Sequence, residues 1–192
     1  MDPDRIRLAL RRAGAPDDAI RLFGSERSEG HVNDAHNFVL LPAEEVHFLT
    51  LLGSKGIGKT LAAVCAMGNL LSLYLERDQP GGSTPPPPAM FVRGATFGRL
   101  SAYDRADREW FEDMLRTPCL VLDDLGKEPL NEVTKSQLFE LFDTRSGRSR
   151  RTIITANMTR AQFVERYGGA IADRLREHGI SSELVGDSKR IS

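Results

Sequence analysis

Residues 53–60 read GSKGIGKT and follow directly on the apolar run VHFLTLL of residues 46–52. Such a run suits a strand buried on both faces of a parallel sheet. Behind it, Lys59 to about Glu76 carries good helix formers such as Leu61, Ala62, Leu70 and Leu71, which predict a long helix. Strand, glycine loop and helix in that order are the setting in which GxxxxGKT acts as a phosphate cradle. Its glycines let backbone N–H groups close around a β-phosphate, at a helix N-terminus whose dipole favours an anion. Gly53, Ser54, Lys55, Gly56, Ile57, Gly58, Lys59, Thr60 and Leu61 are therefore the candidate nucleotide-binding residues. Lys59 would neutralise β- and γ-oxygens, and Thr60 would offer its hydroxyl to Mg²⁺.

The rest of the chain repeats the alternation. Upstream, Asp4 to Ala13 places Ile6, Ala9, Leu10 and Ala13 at helical spacing, Gly14 stops that helix, and Pro16 can open a second, short one. Residues 24–36 are polar and glycine-bearing, so residues 1–36 read as a short helical arm and linker, with the core running from 37 to 192. Downstream, DQPGGSTPPPPA (78–89) reads as a surface loop, because consecutive prolines lack backbone donors. AMFVRG (89–94), CLVLDDLG (119–126) and RTIITAN (151–157) read as further strands. Helices are expected around 101–116, over 131–145 and around 161–167, with a short one in IADRLREHG and the run SSELVG closing the chain. The expected fold is α/β, a three-layer sandwich around a mostly parallel five-stranded sheet.

A phosphate cradle needs a second anchor for Mg²⁺, and Asp123 and Asp124 close the buried run LVL. There Asp123 would hold the metal, partly through water, and Asp124 would orient or deprotonate the attacking water. Asn157, at the end of RTIIT, stands where it could position that water, although a strand-ending Asn also serves as a turn former or helix cap, and Thr155 and Thr159 leave the cap ambiguous. Asp123-Asp-Leu-Gly126 fits the DxxG of GTPases as well, but no NKxD guanine-recognition sequence follows. A small-molecule P-loop kinase leaves no short signature and stays open.

Composition narrows the partners. With 26 Lys and Arg against 27 Asp and Glu, the formal net charge is -1, so no global field draws the chain to nucleic acid or an anionic membrane. Cys65 and Cys119 stand far apart without metal-ligand spacing and read as buried, reduced thiols. The charged N-terminus lacks a signal-peptide stretch and no segment reaches spanning length, so a soluble cytoplasmic protein without membrane contact is expected.

GSKGIGKT, PCLVLDDLGKE, RRTIITANMT, IADRLREHG and GDSKR, in that order, resemble the AAA+ ATPases of the DnaC/IstB group, helicase loaders and transposition helper ATPases, over about residues 46–190. The resemblance implies the AAA+ type of P-loop NTPase fold, binding of ATP and ADP with Mg²⁺, and ATP hydrolysis. It implies that Asn157 is the sensor-1 residue and Arg174 the arginine finger, reaching a neighbouring subunit's ATP site, so that the protein self-associates; Arg166 and Arg176 are the neighbouring candidates for the finger. Arg190 matches the group's terminal Ser-x-Arg and would reach a phosphate as a second sensor. RRAGAP (11–16) is similar to the segment that lies near the adenine in this group. Two departures stand out. The second acid is Asp124 where AAA+ enzymes generally carry Glu, which implies slow hydrolysis, and the stretch after Arg174 leaves the helical lid absent or reduced to a stub.

The group binds single-stranded DNA. Arg93, Arg99, Arg105 and Arg108 with Phe97 and Tyr103 could supply phosphate contacts and stacking, but the interleaved acids favour a solvated, salt-bridged face. The basic run RSGRSRR (145–151) reads as a solubilising loop first and a DNA or partner contact second. The expected function is a DnaC-like loader that delivers a replicative helicase onto DNA. An IstB-like helper of a transposase and a nucleotide-gated binding module with little hydrolysis are the alternatives.

Overall fold

Strands buried on both faces need a layer of helices on each side, and the chain supplies both. In a computed structural model, which describes residues 2–24, 33–76, 87–101 and 103–184, five strands form one sheet: β1 (Phe48–Gly53), β2 (Ala89–Arg93), β3 (Cys119–Leu125), β4 (Arg151–Ala156) and β5 (Gly179–Leu184). Their order is β2-β3-β4-β1-β5, and every neighbouring pair is parallel. The nine helices among the described residues are α1 (Pro3–Arg12), α2 (Asp17–Leu22), α3 (Asn33–Leu40), α4 (Lys59–Glu76), α5 (Gly94–Phe97), α6 (Arg105–Arg116), α7 (Glu132–Gly147), α8 (Arg160–Tyr167) and α9 (Gly169–Glu177). None is long and apolar enough to cross a membrane.

Alternation along the strands divides the core in two. Leu49 and Leu51 of β1, Phe91 of β2, Val121 of β3 and Ile153 of β4 meet α1 to α4 on one face. Phe48 and Leu52, Val92, Leu120, Leu122 and Ile154 meet α5 to α9 on the other. Each large apolar side chain buried this way contributes about 1.5–3 kcal/mol. Both cysteines are buried and neither forms a disulfide, and burial pushes the Cys119 thiol up to about 12, which keeps it protonated.

Residues ahead of β1 hold to this core. Ile6, Leu10, Ala19 and Ile20 are buried with α4, and Phe91 N–H of edge strand β2 donates to Ala13 O at 2.7 Å. The sequence reading missed α3, whose second half lies in NFVL where the core was expected to start without a helix. Ala35 and Phe38 bury its inner face, so packing rather than propensity makes it. Most of the proline-rich stretch, residues 77–86, and the terminal GDSKR lie outside the described residues.

The basic run 145–151 is also different from its reading. Arg145 is fully buried, donating to Met114 O at 2.6 Å, Thr117 O at 2.9 Å, Arg151 O at 2.5 Å and Thr152 Oγ1 at 2.8 Å. Arg151 donates to the carbonyls of Phe38, Leu41 and Val46. Two of the arginines therefore brace the N-terminal ends of the strands, and only Arg148 and Arg150 remain for the surface.

Candidate functional site

β1 is buried throughout and stops at Gly53, where φ is 131°. Gly56 and Gly58 follow at 89° and 92°, in the left-handed region that a side chain disfavours, so the loop curls back on itself before α4 begins at Lys59. Ile57 is buried and anchors the curl, while Ser54 and Lys55 are exposed at its rim. Lys59 leaves the helix inward: its ammonium donates to Gly53 O at 3.0 Å, Ser54 O at 2.7 Å and Asn157 Oδ1 at 2.8 Å. Burial pulls its pKa down, and the neighbouring Asp124 and Asp123 push it back up.

The acids arrive from β3. Pairing between β3 and β4 slips after Leu122, where Asp123 and Asp124 form an irregularity with Asp124 at φ 61°. A bulge of this kind re-aims side chains at the end of a strand. Here it turns both carboxylates toward the loop. Asp123 Oδ1 accepts from Thr60 Oγ1 and Thr155 Oγ1, each at 2.8 Å, and Thr155 Oγ1 in turn accepts Asp124 N–H at 2.9 Å. Burial raises the Asp123 pKa, against the two hydroxyl bonds that lower it. The Asp124 carboxylate accepts from Asn157 Nδ2 and from Lys127 Nζ. Asn157 is thus not the helix cap. Thr159 caps α8 through a capping box with Gln162, leaving the Asn157 amide to bridge Lys59 and Asp124.

Thr60, Leu61, Asp123, Asp124, Lys127 and Arg93 line a cleft of about 430 Å³ at the C-terminal ends of the strands. In parallel α/β sheets this is the end at which ligands bind. Of the residues singled out in the sequence, Lys59, Thr60, Asp123, Asp124 and Asn157 come together here. Arg174 does not join them. It lies on α9 and donates to Asp143 Oδ1 of α7 at 2.6 Å and Glu177 Oε2 at 3.5 Å. Arg176 pairs with Asp173, and Arg166 donates to the backbone and carboxylate of Glu128. Arg190 lies outside the described residues. Phe97 is fully buried and offers no stacking surface, whereas Tyr103 is exposed. On α6 Arg105 pairs with Glu109 and Arg116 with Asp113, while among the described residues Arg99 and Arg108 take part in no ion pair, so that face is salt-bridged only in part.

Sequence reasoning missed three contributors. Lys127 and Thr155 hold the acids directly. Glu128, buried, accepts from Gly126 N–H at 2.7 Å, Tyr167 OH at 2.6 Å and Arg166 at 3.2 Å, tying the loop after β3 to α8. Gly126 has φ 109°, and a Cβ there would run into Met158. Glu128 left no local signal, because it follows the charged Lys127 in a stretch, GKEPLN, that reads as an ordinary loop.

Fold and site together define a P-loop NTPase of the AAA+ type. Among solved structures the chain is similar to DnaI (22% identity, TM-score 0.64, covering 99% of this chain and 94% of that one) and to the DnaC helicase loader (23% identity, TM-score 0.59, covering 84% and 100%). A sequence profile described as IstB-like ATP binding protein matches residues 101–192. An insertion-sequence ATP-binding protein, y4pL of Sinorhizobium fredii (strain NBRC 101917 / NGR234), is 31% identical over 195 residues, covering 97% of this chain and 74% of its own. The insertion sequence IS21 ATP-binding protein of Pseudomonas aeruginosa is 28% identical over 153 residues, covering 73% of this chain and 51% of its own. The chain belongs to the IstB-like family of ATP-binding proteins, within the DnaC/IstB group.

Proposed function

We propose that this protein hydrolyses ATP at sites shared between its subunits and serves, in the cytoplasm, as the helper of an insertion-sequence transposase on DNA, with residues 37–192 as the ATPase core. The observation that carries the reading is the meeting of Lys59, Asn157 and Asp124 beside the Thr60–Asp123 pair. In ATP's presence Lys59 would exchange the carbonyls of Gly53 and Ser54 for phosphate oxygens, and the N–H groups of residues 53–61 would close around the nucleotide. The Thr60 hydroxyl and Asp123 carboxylate are hard oxygen donors from two elements meeting at one point, a set that fits Mg²⁺. The ion would supply charge neutralisation on the phosphates. Asp124 would take the proton of the attacking water, and Asn157 would orient it. Arg174, held by two exposed carboxylates, would be released to a neighbour's site, with Arg190 as a further phosphate contact.

The insertion-sequence relatives favour a transposase as the partner. A replicative helicase, the partner expected from the motifs, is supported by the likeness to DnaC and DnaI, which extends to the fold. One observation favours a second reading: with both Asp124 oxygens engaged by Asn157 and Lys127, the protein would act as a nucleotide-gated binding module that hardly hydrolyses ATP. Turnover per subunit across protein concentration, with and without single- and double-stranded DNA, separates them. A rate that climbs with concentration or DNA in the wild type and stays flat in Arg174→Ala supports the shared site. A concentration-independent rate equal in both proteins sinks it, and tight binding without turnover leaves the gated module.

A further inference from the structure

The end of the sheet opposite the nucleotide cleft carries a surface that ATP chemistry does not use. A groove of about 580 Å³ crosses the N-terminal ends of β2, β3 and β4, between the end of α3 and the last turns of α4. Leu40, Leu41 and Leu73 stand on it at 68%, 37% and 46% exposure, and Pro118 forms part of its floor. Arg148 and Arg150 form one wall. Among the described residues Arg148 and Arg150 take part in no ion pair. Arg151 is held by backbone carbonyls and lies close enough to Glu44, the one acid that lines the groove, for that carboxylate to push its pKa up against the effect of burial. A positive wall beside exposed leucines is thus left without its complement.

We propose that this groove docks a protein partner through an acidic segment bearing apolar side chains. Leu40, Leu41 and Leu73 ask for apolar side chains, and Tyr74 is the one aromatic among the described lining residues, so the groove lacks the series of stacking faces that a single strand needs. Arg148 and Arg150 ask for carboxylates. The groove is also preformed. Arg151 fastens the strap that carries Leu40 and Leu41 through the carbonyls of Phe38, Leu41 and Val46, so docking requires little ordering of this side. The inference stands apart from the hydrolysis reading, because no residue of the groove lies at Lys59 or Asp123.

The test uses the full chain and two fluorescent helical peptides of about 18 residues, five turns, with identical leucine spacing and either glutamate or lysine elsewhere. Fluorescence anisotropy should show the glutamate peptide binding more tightly than the lysine peptide. Leu40→Asp, and separately Arg148→Glu with Arg150→Glu, should each weaken it at least about tenfold, while nucleotide affinity stays at the wild-type level. Leu73→Asp serves as a second apolar variant if Leu40→Asp fails to fold. Equal binding of both peptides, or of neither, overturns the proposal. A single-stranded oligonucleotide that displaces the peptide and is still bound by Leu40→Asp makes the groove a nucleic-acid surface instead. Wild-type self-association that Leu40→Asp abolishes assigns it to a second copy of this chain.

Discussion

The two ends of the parallel sheet handle buried charge in opposite ways. At the N-terminal end Arg145 is fully buried, and its four hydrogen bonds reach three backbone carbonyls and one threonine hydroxyl. At the C-terminal end Lys59 and Asp123, each 6% exposed, bond to the side chains of Asn157, Thr60 and Thr155, and otherwise to carbonyls of the lysine's own loop. A side chain that satisfies carbonyls at the end of one helix and the start of a strand cannot leave without stranding them. Side chains that satisfy one another can exchange partners when a ligand arrives. The first arrangement fixes the fold, and the second keeps charges poised.

That contrast predicts where the largest effect falls. Arg145→Met should cost about 3–5 kcal/mol in denaturant unfolding, because it leaves three buried carbonyls unpaired at once. A loss under about 1 kcal/mol would break the comparison. Lys59→Ala should do the reverse: it should lower nucleotide affinity by roughly 30-fold or more, on the scale of 2–5 kcal/mol for a desolvated charge pair, and leave the unfolding midpoint nearly unchanged. Titration with a fluorescent ATP analogue reads the first and the same denaturant melt the second.

Glu128 sharpens the contrast, because it sits at the C-terminal end yet is bound as tightly as Arg145. Its carboxylate holds Gly126 N–H, Tyr167 and Arg166, none of which belongs to the phosphate cradle. Tyr167→Phe removes a bond to a buried carboxylate and should cost about 1.5–3 kcal/mol. The effect on nucleotide affinity should be small, measured by the same titration. If affinity fell as far as in Lys59→Ala, the loop after β3 would belong to the exchangeable group.

Local pattern made one end of the molecule legible and left the other dark. GSKGIGKT, LVLDD and the close of RTIITAN announced themselves because each is a polar break at the end of an apolar run, and strand alternation with helices fixed which end they share. Thr155 was not readable as a partner of Asp123, since the contact depends on the slip between β3 and β4. Arg145 was read as surface because a basic run without acids usually is. Only the packing of α7 against the strand ends, remote in sequence from Met114, turns it inward. α3 escaped because its polar sequence carries just Ala35 and Phe38 as buried anchors.

A smaller effect concerns pH. Burial raises the folded-state pKa of Asp123 above its unfolded value, so between the two the folded chain holds the extra proton and stability falls as pH rises. Asp123→Asn keeps an oxygen for Thr60 and Thr155 but loses the buried charge. It should be the more stable protein at neutral pH in the absence of nucleotide, with the difference shrinking to nothing below about pH 3.9, the ordinary Asp value. Thermal melts of both proteins across that range measure it. A wild type that gains stability as pH rises would mean that the two hydroxyl bonds outweigh burial.

The smallest stability effect should fall on Arg174, which belongs to neither end. Its partners Asp143 and Glu177 are half exposed, and pairs of that kind contribute about 0.2–1 kcal/mol. Arg174→Ala should therefore shift the unfolding free energy by less than about 1 kcal/mol. The value of the measurement lies in its pairing with turnover. A stable variant that has lost concentration-dependent hydrolysis means that the guanidinium acts away from its own chain, and that the surface pairs merely store it. A variant that unfolds easily and hydrolyses as before means that Arg174 braces α9 against α7, as Arg145 braces the strands, and the finger must be sought elsewhere.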